Sequence, residues 1–362
     1  MKISKIPGLG RFGHFIDGLD FDHITKDEIM EIGRFHATDL VTILRDVKIN
    51  KDQYFQMVQS WGEERINKNA WRSMYAYRAL KKYGPPALWP EGSPPEEIAF
   101  GLKYMENATE TTPRGNRLMR ISGMEDDQGN LTGIFSEGDL NWHINEAALL
   151  NFTPGVALMG QQKMVGSATS FVQTVDFYEN LSESFRSELD DMCFVHAWTP
   201  GAITARDIQR PEYAEFLKRN FVPDDASVPT PVVITTPGGI RGIRYSRCTV
   251  SGIEGMSPEE AKKIIDIIEK GVMQDQADQI YDHYYQQDND ICLFDQAVTL
   301  HRRLGGAADR IAYRLSFDYA KVINGRWTPY HQPKFAAEFN EEWEDYQKVM
   351  RTNEGVKMPA AY

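Results

Sequence analysis

The strongest constraint on the fold of this chain is a series of short, β-branched apolar runs, each cut off by turn residues before a long helix could form. Leu40-Val-Thr-Ile-Leu44, Gly155-Val-Ala-Leu-Met-Gly160, Thr169-Ser-Phe-Val-Gln173 and Cys193-Phe-Val-His196 are of this kind. So are Pro231-Val-Val-Ile-Thr-Thr236 and the stretches 281–285, 291–294 and 310–317. Runs of this length, rich in Val, Ile, Thr and aromatics, fit strands. Helices are signalled at only a few places. Thr25-Lys-Asp-Glu28 fits a capping box ahead of one helix, and a second runs from Asn50 to a stop at Gly62. Two short helices fit 176–189, and a tail from Lys334 reads as helical and acidic. Ser257-Pro258-Glu-Glu260 is a strong start, with Gly271 as the expected stop. Strand–helix alternation is weak and no GxGxxG follows a strand, so a doubly wound sheet is disfavoured. The expectation is a mainly β fold with helical inserts, a jelly roll.

With 362 residues, one elaborated domain over 1–330 and a helical C-terminal extension over 331–362 account for the chain. The Pro- and Gly-rich stretch 83–98 reads as a lid, and the irregular, charged stretch 200–230 as a cover over a pocket. A formal charge of −12 argues against nucleic-acid binding, which needs a basic surface. Cys193, Cys248 and Cys292 fall singly, so neither a disulfide framework nor a zinc ribbon is encoded. The N-terminus lacks the apolar core of a signal peptide, and no run is long enough to span a membrane. The expected setting is the cytoplasm and the expected partner a small molecule; a homo-oligomer is left open.

Two stretches carry the chemistry: Gly138-Asp-Leu-Asn-Trp-His143-Ile-Asn145-Glu146 and Asp290-Ile-Cys-Leu-Phe-Asp295-Gln-Ala-Val-Thr-Leu-His301. HExxH, His-x-His and Gly-x-Ser-x-Gly are all absent. In each stretch a histidine stands at the edge of a strand beside polar groups. Two such imidazoles and a nearby oxygen ligand are the parts of a mononuclear non-haem iron site with positions left open. The usual form is His-x-Asp or His-x-Glu followed by a distant His; here the third position is Asn145. His36, His196, His283, Trp142 and Trp198 have the simpler expectation of packing or pocket-wall residues.

An ordered set of further motifs resembles the taurine dioxygenase family of iron(II)- and 2-oxoglutarate-dependent oxygenases. An early helix leads to Val41-Thr-Ile-Leu-Arg45-Asp46, then come Asn141-Trp142-His143, Thr153-Pro154-Gly155 and Gly166-Ser-Ala-Thr169. The capped helix precedes the His301 stretch, and Arg310-x-x-x-Arg314 comes last. The resemblance covers about residues 6 to 320 and implies a distorted double-stranded β-helix. It implies that His143, Asn145 and His301 hold Fe(II). Arg310 would fork onto the distal carboxylate of 2-oxoglutarate; the family interval is slightly longer, so Arg314 could take that role or else reach the substrate. Thr169 would share the carboxylate, and Asp139 and Asn141 would contact substrate. The implied reaction consumes O2 and 2-oxoglutarate, releases succinate and CO2, and hydroxylates a small polar molecule.

Asn145 departs from the family pattern, and three ligations follow from that. Its amide oxygen ligates; or Glu146, the next residue, supplies a carboxylate; or the position is open to water or a halide. The last matches related halogenases, which makes halogenation the second expectation. A ligand-binding homologue without tight metal binding is the third.

Overall fold

This computed structural model describes residues 2–63, 107–136, 138–197, 229–306, 308–323 and 327–352. The lid expected at 83–98, Trp198 and most of the cover expected at 200–230 lie outside the described residues.

The larger sheet is built from β1 (Lys2–Lys5), β2 (His14–Asp17), β3 (Val41–Arg45), β4 (Thr109–Thr111), β5 (Arg117–Ile121), β7 (Gly155–Gln162), β15 (Ile291–Asp295) and β17 (Ile311–Phe317). Their spatial order is β1-β2-β3-β15-β7-β17-β5-β4, antiparallel throughout except for β2 with β3. The smaller sheet holds β6 (Leu140–His143), β8 (Ala168–Gln173), β14 (Tyr281–Tyr284) and β16 (Thr299–Leu304), in the order β14-β8-β16-β6. Outside it lie β9 (Cys193–His196), β10 (Thr230–Pro231) and β13 (Val250–Ile253), with the hairpin of β11 (Val233–Thr235) and β12 (Arg241–Ile243). The architecture is mainly β with helices packed outside, as the strand pattern predicts.

Strand β15 shows why one run is apolar throughout. Ile291 and Leu293 point to a core shared with α1 (Lys26–Asp39) and α2 (Lys51–Trp61), through Ile32, Tyr54 and Trp61. Cys292 and Phe294 point the other way, into a core shared with Phe171 and Leu140 of the smaller sheet. A strand covered on both faces has no polar side to alternate with. Each such burial stabilises by roughly 1.5–3 kcal/mol. The smaller sheet repeats the arrangement: Val172 and Leu300 face an outer layer containing Leu189, Ile243 and Ile268.

The helix starts follow local chemistry. Thr25, Asn50 and Ser257 each cap a helix with a full reciprocal box, the last opening the helix α5 (Pro258–Lys270). Segment 176–189 forms α3 (Val175–Asn180) and α4 (Glu183–Asp191). Helix α5 ends at Lys270 with Gly271 as its C-cap, though not in the left-handed conformation typical of a glycine stop. The φ of Gly271 is −59°, and the chain continues through a π-helical turn, Gly271–Asp275. Glycine is needed there for room: a Cβ would lie 2.0 Å from the Phe177 ring. Around the Asp126–Gly129 turn the chain forms only isolated bridges, Ile121 with Ile134 and Glu125 with Leu131. The last helix, α6 (Pro333–Thr352), buries Phe335 and Phe339 beside Leu150, Phe152 and Tyr330.

Asp295 ends β15, and its Oδ1 accepts from the backbone N–H groups of Ala297 (2.7 Å) and Val298 (3.1 Å). Burial nevertheless pushes its carboxyl up to about 7. The folded state then holds this proton more tightly than the unfolded chain, so folding takes one up between about pH 4 and pH 7. Stability from this group is therefore lost as pH rises through that window, by an amount on the order of a few kcal/mol. Asp295→Asn carries no such slope. Its melting temperature should gain on the wild type between about pH 5 and pH 8; a constant difference over that range would show that the carboxyl is already ionised at the lower pH.

Candidate functional site

Strands β6 and β16 pair antiparallel with His143 directly opposite His301. Their ring centroids are 4.2 Å apart. The Nδ1 of His143 lies 2.6 Å from the Asn141 carbonyl. A carbonyl can only accept, so Nδ1 carries the proton and Nε2 keeps its lone pair. Burial pushes the His143 imidazolium down to about 4 and that of His301 well below its ordinary value, with His143 and Arg314 adding to the latter. Both rings are thus neutral at neutral pH, the state a metal requires. Phe294 flanks His301 with its ring centroid 4.7 Å away.

Asn145 follows β6 and is held by an amide relay. The Nε2 of Gln296 donates to the Thr153 carbonyl, and Asn145 Nδ2 donates to Gln296 Oε1 at 2.7 Å. Because the Thr153 carbonyl only accepts, the polarity of both amides follows from it. The NH2 of Asn145 therefore faces His301, with Nδ2 3.4 Å from Nε2. Glu146 is turned elsewhere: its Oε2 accepts from the Thr153 backbone N–H at 2.8 Å. Its φ of 59° is strained for a residue with a side chain. Arg244 holds that turn in place. Its guanidinium donates to the carbonyls of Glu146 (2.7 Å), Ala147 (3.2 Å) and Leu149 (3.0 Å), and lies 3.9 Å over the Phe152 ring. Among the described residues, no group of three or more His, Cys, Asp or Glu could hold a metal.

The histidines open onto a pocket lined on one side by Ile121, Phe135, Leu140, Val156, Leu158 and Phe294. Asn145, Thr169, Arg302, Arg303 and Arg314 supply its polar wall. Arg314, on β17, is half-buried, and its buried Nε has no hydrogen-bond partner among the described residues. Burial lowers its pKa, against the nearby Glu146. Arg310 is directed elsewhere, donating to the carbonyls of Phe135 (3.2 Å) and Ser136 (3.0 Å). Thr169 Oγ1 is 3.2 Å from the hydroxyl of buried Tyr285. Asp139 accepts from the Gly305 backbone N–H at 2.7 Å, and Asn141 Oδ1 from that of Trp142 at 2.8 Å; neither side chain lines the pocket.

Sequence reasoning singled out neither Gln296 nor Arg302 and Arg303. Strand alternation from His301 could have flagged Arg303. Gln296 sits in a turn and carries no motif. His36 is a fully buried packing group, stacked on Tyr319 and bonded to Thr42, with its imidazolium pushed down to about 3 by burial. His196 is bonded to Thr230 and Thr249, and His283 packs against Tyr285.

In a mainly β fold, two neutral imidazoles and the guanidinium of Arg314 thus line one pocket. Residues 92–315, more than half of the chain, match the family described as taurine catabolism dioxygenase TauD, TfdA family. The chain belongs to that family, and is an oxygenase that works with Fe(II), 2-oxoglutarate and O2. Its fold is similar to that of a taurine dioxygenase from Burkholderia xenovorans, with a TM-score of 0.54 at 17% identity, covering 93% of this chain and 98% of that one. It is also similar to AAD-2 in complex with Mn(II) and N-oxalylglycine, with a TM-score of 0.55 at 14% identity over 88% and 97% of the two chains. No curated protein matches the sequence. Among the described residues, no helix is long and apolar enough to cross a membrane.

Glu146→Ala removes the acceptor for the Thr153 N–H and should cost about 1–3 kcal/mol of stability. Metal affinity, measured by titration with Mn(II), should change less than about threefold, since the carboxylate faces away from the histidines. Loss of Mn(II) binding in a folded Glu146→Ala protein would instead make Glu146 a ligand.

Proposed function

We propose that this protein is a 2-oxoglutarate-dependent dioxygenase that hydroxylates a small polar molecule, releasing succinate and CO2. On this reading one distorted double-stranded β-helix spans residues 1–330. His143 and His301 would hold the iron, and Arg314 with Thr169 would hold 2-oxoglutarate. The observation that carries the reading is the facing pair of neutral imidazoles in one pocket with an arginine whose buried Nε has no partner among the described residues.

Bound iron with 2-oxoglutarate would supply the oxidation, the oxo acid giving up CO2 and two electrons as one oxygen atom enters a C–H bond. The chain's own contribution is positioning and dryness. Arg314 offers a planar fork suited to a carboxylate. Thr169 lines the same pocket and adds a hydroxyl donor. The apolar wall from Ile121 to Phe294 excludes water from the imidazole pair. Asn141 orients His143 through its carbonyl, which fixes the tautomer that leaves Nε2 available. Arg310, tied to the 135–136 carbonyls, has the role of bracing the pocket wall.

A second reading, halogenation, is favoured by one observation: the position after His143-Ile144 presents an amide N–H where a carboxylate ligand is usual. Product analysis with and without chloride separates the two readings.

His143→Ala and His301→Ala should each abolish iron-dependent succinate formation; retention of activity in both would place the metal elsewhere. Arg314→Lys keeps the charge but loses the fork, and should weaken 2-oxoglutarate binding by about 2 kcal/mol, roughly thirtyfold. Arg310→Lys should weaken it much less. The reverse ranking would give Arg310 the co-substrate.

A further inference from the structure

We propose that Gln296 locks Asn145 as a hydrogen-bond donor rather than a metal ligand, and that this donor couples metal binding to the binding of a small anion beside the metal. The inference rests on the assignment of the metal to His143 and His301.

The argument follows the two N–H bonds of the Asn145 amide. One is committed to Gln296 Oε1 at 2.7 Å. Gln296 is fully buried and cannot reverse, because its own Nε2 donates to the buried Thr153 carbonyl. Among the described residues, the other N–H has as its acceptor the Nε2 lone pair of His301 at 3.4 Å. A metal on His301 Nε2 takes that same lone pair. The amide N–H is then left in a buried site with no acceptor, an unfavourable state for a donor. An anion in an open coordination position beside the metal accepts this hydrogen bond and removes the penalty. Metal and anion therefore bind cooperatively, and by linkage each strengthens the other by the same factor. A carboxylate side chain at this position would repel such an anion. The amide attracts it.

Gln296 is thus a positioning residue: it acts through Asn145 and touches neither histidine in the contacts described. Without it the Asn145 amide can turn and present its oxygen, which should strengthen metal binding and weaken anion binding. The expected ligand is a monodentate anion, and azide is a suitable probe because it also reports on cobalt by absorption.

The test is titration of the full chain, free of metal, with Co(II), in the presence and absence of sodium azide. In the wild type azide should strengthen Co(II) binding by about tenfold more than in Asn145→Ala, equivalent to one satisfied hydrogen bond. Gln296→Met should lose most of the same enhancement, and Asn145→Ser, which keeps a donor, should regain part of it. Without azide, Asn145→Ala should bind Co(II) more tightly than the wild type, by up to about tenfold, because the donor that the metal leaves unsatisfied is gone. Circular dichroism establishes that each variant is folded; a misfolded Gln296→Met leaves the comparison of Asn145→Ala with Asn145→Ser to decide. An azide enhancement of equal size in wild type and Asn145→Ala overturns the proposal. So does a loss of Co(II) affinity beyond about tenfold in Asn145→Ala without azide, which would make the amide oxygen a ligand. Both results leave the histidine site standing. Co(II) binding that His143→Ala does not weaken removes the metal assignment itself, and the proposal with it.

Discussion

The functional site depends on one register: the pairing of β6 with β16 that sets His143 opposite His301. A slip of β6 by one residue would send the His143 imidazole to the other face of the sheet, into the apolar layer with Leu300 and Val172, while His301 stays fixed by its pairing with Phe171. The register is protected from both sides. Phe171 and Phe294 pack the face toward the larger sheet, while Trp142 and Leu300 pack the outer face. Apolar side chains of both faces thus hold two polar ones in place. The turn after β6 receives a separate restraint from Arg244, whose fork on three carbonyls supports the strained φ of Glu146.

Burial does two things at this site at once. It removes charge from the imidazoles, which leaves their lone pairs free for a metal. It also leaves the buried Nε of Arg314 without a protein partner among the described residues. The polar wall of the pocket carries three arginines, Arg302, Arg303 and Arg314, and among the described residues no acidic side chain is grouped with the histidines.

Features set by neighbours in sequence were legible in the residues, and those set by distant packing were not. The three capping boxes are complete within four residues each and were readable as they stand. Gly271 was read as the stop, and the α-helix ends there, but the reason for glycine is the Phe177 ring, which belongs to another helix. The two histidines were identifiable as candidates, but their opposition is a pairing of strands distant in the chain. The orientation of Asn145 depends on Gln296, 151 residues away, and no local pattern announces it. Spacing put Arg310 and Arg314 in contention together. The irregular register between Ile311 and Ala312 falls between them, and such a bulge changes which side of a strand a given interval reaches.

The strand order of the smaller sheet has a consequence for biosynthesis. Among the described residues, β6 pairs only with β16, and β8 pairs only with β14 and β16. In the larger sheet β7 likewise waits for β15 and β17. A nascent chain that has emerged only as far as α5 therefore holds three apolar strands, none of which has its partner yet. Late, non-local closure of this kind is slow and leaves unpaired edges open to other chains. The protein should be most prone to aggregation while still attached to the ribosome. Truncation within the last strands should yield insoluble material rather than a smaller folded unit, and holdase chaperones should matter more to its yield than its final stability suggests.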